Sequence, residues 1–229
     1  FVIDVSGSMA QENRLGLVKQ SLEILVNRMR ADDTIAIVVY GSDARVVLPP
    51  TNGSDRNTIL TAIYSLDTEG STNLEAGLLL GYEMANRAYK FDGINRVILA
   101  SDGVANVGNT SADSIASQIR VYADAGIQLT TIGFGLGNYN DVMMEQLADQ
   151  GDGNYGYIDT LQEAEELFVD NIMSTLQVIG LDAKIQVEFD RNVVQQYRLI
   201  GYENRAIADE DFRNDTIDVD GVRALKPDH

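Results

Sequence analysis

The chain has no cysteine and a single histidine, His229, its last residue. Without cysteine there are no disulfides, no thiolate metal sites and no cysteine nucleophile. One histidine is too little for a zinc site of several histidines, and a Ser-His-Asp triad would have to draw its base from the final residue. Any metal held here must therefore be held by oxygen. Positive charge is also scarce: 17 Lys and Arg stand against 35 Asp and Glu, a formal net charge of −18. Such a surface repels nucleic acid and anionic membranes, so neither is an expected partner. No apolar run reaches membrane-spanning length, and no signal peptide is present. Phe1 already reads as mid-strand, with no turn or cap before it, so the chain is expected to be a piece of a longer protein with any targeting segment upstream.

What is present is a core. Of 229 residues, 45% are hydrophobic, enough for one or two packed domains and too many for a disordered chain. Strand-like and helical periods alternate over most of the length. Short apolar runs at 1–5, 34–40 (TIAIVVY), 96–100 (RVILA) and 127–134 read as strands buried on both faces. Arg45–Leu48 reads as a shorter strand stopped by Pro49 and Pro50. NYGYID at 154–159 reads as a last strand. Helical spacing marks 13–30, 54–66, 74–89, 111–125, 141–149 and 162–176, the fourth stopping at Gly126. The expected fold is α/β: a doubly wound, mostly parallel sheet covered by helices on both faces, over residues 1–177.

The pattern then changes. LDAKIQVEFD at 181–190 alternates apolar and polar residues, as a half-exposed antiparallel strand does. VVQQYRLIGYE at 193–203 is a second candidate. Residues 178–229 are read as the start of a β-rich region, incomplete here.

In an open parallel sheet, ligands collect at the carboxyl ends of the strands. Three polar groups fall at such joints. FVIDVSGSM places Asp4, Ser6 and Ser8 at the end of the first strand. GSTN places Thr72 before the helix at 74–89, and SDG places Asp102 after the strand at 96–100. Each group has an ordinary reading. Ser8 with Gln11, and Thr72 with Glu75, have capping-box spacing, and Ser-Asp-Gly is common turn chemistry. Taken together, two carboxylates and three hydroxyls form an all-oxygen set that suits a hard cation, Mg²⁺ first and then Mn²⁺ or Ca²⁺.

DVSGSM, GSTNLEAGL and ASDG, in this order, resemble the three-part metal-ion-dependent adhesion site of von Willebrand factor type A domains. The resemblance covers about residues 1–177. QVEFDRNVVQQYRLIGYENR looks like the start of the extra C-terminal region of bacterial envelope proteins of this family. The resemblance implies that Ser6 and Ser8 bind the metal through their hydroxyls and that Thr72 binds directly or through water. Asp4 and Asp102 would hold coordinating waters. It also implies a protein partner that offers an Asp or Glu carboxylate, and an extracytoplasmic setting at the cell envelope or in secretion. Gly7 is expected to let the first loop bend around the ion.

Two other functions are weighed against this one. Asp4 at the end of a first strand is also where aspartyl-nucleophile phosphatases place Asp-x-Asp. Here Ser6 replaces the second acid, which serves as general acid and base, and neither Lys19 nor Lys90 sits in a phosphate loop. A purely structural piece of a surface assembly would have no need of an intact five-residue set. GFGLGN at 133–138 has Asn138 where a dinucleotide fingerprint needs glycine. QGDGNYGYID at 150–159 has Tyr157 where a calcium loop starting at Asp152 needs glycine. Both are read as turns.

Overall fold

The computed structural model describes residues 1–102, 112–135, 141–171 and 193. The chain falls into two compact units, Phe1–Gln177 and Val178–His229. The strands expected within 178–229, and the part of the last expected helix beyond 171, lie outside the described residues.

Six strands form one sheet in the order β3-β2-β1-β4-β5-β6. They are β1 (Val2–Asp4), β2 (Thr34–Tyr40), β3 (Ala44–Asn52), β4 (Asn95–Ser101), β5 (Ile127–Phe134) and β6 (Tyr155–Ile158). Only the β2–β3 pair is antiparallel. The helices are α1 (Arg14–Arg28), α2 (Arg56–Tyr64), α3 (Leu74–Arg87), α4 (Ala112–Asp124), α5 (Asp141–Gln150) and α6 (Leu161–Glu165). A 3₁₀ stretch, Gly7–Asn13, leads from β1 into α1.

Alternation along the strands divides the core in two. Ile3, Ile37, Val39, Ile98, Ile132 and Phe134 pack with α1, α2 and Phe168. Val2, Val38, Tyr40, Leu99 and Leu129 pack with α3, α4 and α5. A strand covered on both faces can be apolar at every position, which is why these runs are continuous. The doubly wound, mostly parallel sheet expected from the sequence is the fold observed.

One local expectation is corrected. β3 does not stop at Pro49 but runs on through Pro50 to Asn52. It is an edge strand, so the missing N–H groups remove no bond on an inner ladder. The register also shifts between Ile35 and Ile37, and neither proline takes a partner: Leu48 pairs with Ile37 and Thr51 with Ile35. The helix expected at 162–176 is observed as far as the described residues reach, α-helical at Leu161–Glu165 and π-helical at Glu166–Asn171.

Thr160 opens α6 with a reciprocal cap. Its hydroxyl accepts from the Glu163 N–H (3.2 Å), and the Glu163 carboxylate accepts from the Thr160 and Asp159 N–H groups (3.3 and 2.8 Å). Thr160→Ala is expected to cost about 1 kcal/mol, seen as a lower urea midpoint with an unchanged slope.

Candidate metal centre

β1 is central in the sheet, between β2 and β4, so its carboxyl end is enclosed by neighbouring loops. Asp4 is fully buried there. Its Oδ1 accepts from the Ser6 N–H at 2.8 Å, which folds the chain back at the end of the strand. Its Oδ2 accepts from the Ser101 hydroxyl at 2.8 Å, with the Tyr40 hydroxyl more distant at 3.4 Å. The Ser6 and Ser8 hydroxyl oxygens lie 3.0 Å apart. Ser6 is at the N-cap position of the 3₁₀ stretch, yet its side chain makes no capping bond.

The loop carrying Thr72 is tied to this end of β1 and to the end of β2. Gly7 N–H donates to the Gly70 carbonyl (3.2 Å), Glu69 N–H to the Val5 carbonyl, and Asn73 N–H to the Gly41 carbonyl (2.7 Å). Thr72 is buried. The cap of α3 is Asn73, whose Oδ1 accepts from the Ala76 N–H at 3.2 Å. Thr72 therefore does not serve as the N-cap that its spacing to Glu75 suggested. Gly7 is not in the left-handed region, and a Cβ on it would meet nothing closer than 3.8 Å; in the neighbouring loop that carries Thr72, Gly70 is left-handed at φ +68.

Asp102 follows β4 directly and is buried. It accepts from Arg14 Nη1 at 2.8 Å. β1 and β4 are paired neighbours, so Asp102 lies close enough to Asp4 for its charge to be felt there. Burial raises the Asp4 carboxyl to about 6. The hydrogen bonds from Ser6 and Ser101 work against that rise, and the Asp102 charge adds to it. Burial also pushes the Tyr40 hydroxyl well up, so it stays a neutral group beside Asp4.

Buried carboxylates and neutral hydroxyls on one sheet edge make a donor set that fits a small hard dication. A cation there would reverse the penalty that burial places on the Asp4 charge. Among the described residues, no three Asp, Glu, His or Cys side chains gather into a metal cluster. This set contains only two carboxylates and is completed by hydroxyls.

Three participants were missed by sequence reasoning: Ser101, Tyr40 and Arg14. Ser101 stands inside the ASDG motif, and Tyr40 ends the otherwise apolar run IAIVVY with a hydroxyl, so both had a signal. Arg14 had none, because an arginine at a helix start reads as solvated.

Residues 1–104 match the family described as von Willebrand factor type A domain. Residues 174–224 match the C-terminal region of the uncharacterized protein YfbK. YfbK of Escherichia coli (strain K12) is 45% identical over 226 residues, covering 99% of this chain. The chain spans 39% of that relative's length. An aerotolerance-related membrane protein from Bacteroides fragilis superposes with a TM-score of 0.62 at 22% identity, over 75% of this chain and 96% of the other. Proximal thread matrix protein 1 from the mussel byssus, with a zinc-occupied MIDAS motif, superposes with a TM-score of 0.59 at 21% identity, over 77% of this chain and 44% of the other. At these identities the structural likeness shows the fold.

Proposed function

Because the chain carries a von Willebrand factor type A domain, we propose that its first unit is a metal-ion-dependent protein-binding module. It holds one divalent cation at the carboxyl edge of the sheet and engages an Asp or Glu carboxylate of a protein partner. The observation that carries this reading is the buried Asp4, hydrogen-bonded to Ser6 and Ser101, with the Ser6–Ser8 hydroxyl pair beside it.

Ser6, Ser8 and Thr72 would offer hydroxyl oxygens to the cation. Asp4 and Asp102 would hold its waters. A cation whose ligands are mostly neutral keeps most of its charge and supplies an open position for an anion. The protein's part is to keep the hydroxyls aimed and the carboxylates oriented, which the Ser6 N–H and Ser101 hydroxyl do for Asp4. Mg²⁺ is the proposed ion, with Mn²⁺ and Ca²⁺ as alternatives. Zinc in the corresponding motif of the mussel protein supports a divalent cation.

The module is proposed to be a binding domain and not an enzyme, since Ser6 replaces the acid that a phosphatase of this layout needs. An extracytoplasmic setting is supported by the membrane protein from Bacteroides fragilis among the structural neighbours. No described helix is long and apolar enough to cross a membrane.

The test is calorimetry on the whole chain, stripped with EDTA and titrated with Mg²⁺ and then Mn²⁺. One site per chain is expected. An absence of heat together with an unmoved melting temperature overturns the reading.

A further inference from the structure

Arg14 stands outside the five residues of the candidate metal set, yet it reaches into that set. Its Nη1 donates to Asp102 Oδ2 at 2.8 Å, and its side chain is only 13% exposed. The stem of Arg14 runs across Gly135, at the end of β5. A Cβ on Gly135 would lie 2.2 Å from Arg14 Nε and 2.7 Å from its Cδ. Gly135 also sits at φ +112, a conformation that side-chain-bearing residues rarely adopt. The slot is held from the β6 side, where the Tyr157 hydroxyl donates to the Gly135 carbonyl and the Gly135 N–H donates to the Ile158 carbonyl. Three elements thus converge on one guanidinium: the start of α1, the end of β4 and the end of β5.

The charges decide what this does. Asp4 and Asp102 together would neutralise a dication. With Arg14 paired to Asp102, the filled site carries one net positive charge. We propose that Arg14 is a positioning residue that keeps Asp102 engaged by a guanidinium, so that the bound cation stays under-neutralised and selects an external carboxylate. This rests on the metal-dependent reading above and adds a determinant of its anion selectivity. Arg14 weakens intrinsic metal affinity by like-charge repulsion and strengthens the hold on an anion.

The test compares Arg14→Gln, Arg14→Met and Arg14→Lys with the wild type in the whole chain. Mn²⁺ affinity is read by calorimetry. Acetate binding to the Mn²⁺-loaded protein is read by water-proton relaxation. Arg14→Gln and Arg14→Met are expected to bind Mn²⁺ about tenfold more tightly and acetate several-fold more weakly, through loss of one nearby positive charge. Arg14→Lys keeps the positive charge, on which the effect depends, and is expected within about twofold of the wild type. Arg14→Met also keeps the stem over Gly135, which separates charge from packing. Equal or weaker Mn²⁺ binding by folded Arg14→Gln or Arg14→Met overturns the proposal and makes Arg14 a structural strut. So does loss of the fold in both while Arg14→Lys stays native. A wild type that binds no Mn²⁺ overturns the metal reading itself, and this proposal with it.

Discussion

Asp4→Ala is expected to lower Mg²⁺ affinity by about 100-fold or more while leaving the chain folded. Asp4 is the one acid held by both the first loop and the neighbouring strand, through the Ser6 N–H and the Ser101 hydroxyl. Without it, nothing at the end of β1 carries negative charge toward a cation. The fold should survive because Val2, Ile3 and Val5 remain in the two core clusters. Two effects of the substitution also oppose each other. It strands the donors of Ser6 and Ser101, which is unfavourable, and it removes a carboxylate whose charge is penalised by burial. Thermal melts with and without Mg²⁺ check the result. The ion should raise the wild-type melting temperature by selective binding to the native state and leave the variant unmoved. An equal rise in both would remove Asp4 from the site.

Gly153→Ala is expected to cost about 3 kcal/mol of stability, the upper range for forced overpacking, without changing metal affinity in the folded protein. A Cβ at Gly153 would lie 1.7 Å from the Leu129 carbonyl oxygen and 2.5 Å from its carbon. That obstacle is backbone, so no rotamer change relieves it. The strand cannot retreat either, because β5 is paired with β4 on one side and β6 on the other. The turn is also bonded to it: Leu129 N–H donates to the Gly151 carbonyl (2.8 Å) and Thr131 N–H to the Asn154 carbonyl (3.0 Å). Leu129 lies near the start of β5, at the edge of the sheet opposite Asp102. Urea midpoints should therefore shift strongly while calorimetry on the folded variant returns the wild-type isotherm. A Gly153→Ala protein as stable as the wild type would show that the turn yields easily.

The strands buried on both faces were legible because their environment asks the same of every residue. TIAIVVY has no polar face to confuse the period, and β2 and β5 begin and end where expected, at Thr34–Tyr40 and Ile127–Phe134. Pro49 and Pro50 misled the reading of β3. A proline is read as a strand stop unless the strand is known to lie at an edge, and position in the sheet is not a local property. In the last helix the apolar spacing continues through a π-helical turn, so it shows that the segment is helical but not the change of hydrogen-bond pattern.

The candidate site divides along the same line. The alternation of Asp4, Ser6 and Ser8, together with Thr72 and Asp102 at two other joints, was visible as donor chemistry. Arg14 was not, because its partner lies 88 positions away in the chain. Ser101 stood within a visible motif, but its bond to Asp4 spans 97 positions and is a product of the fold.

By itself, the sequence determined the class of chemistry open to this protein. With no cysteine and one terminal histidine, only oxygen ligands were available, and continuous apolar strands required a sheet covered on both faces. The tertiary structure alone decided the electrostatics of the edge: that Asp4 is stripped of water and that Asp102 is given to Arg14. Residue type and spacing are properties of the chain. Desolvation and charge pairing act through space, and they exist only once distant segments have packed together.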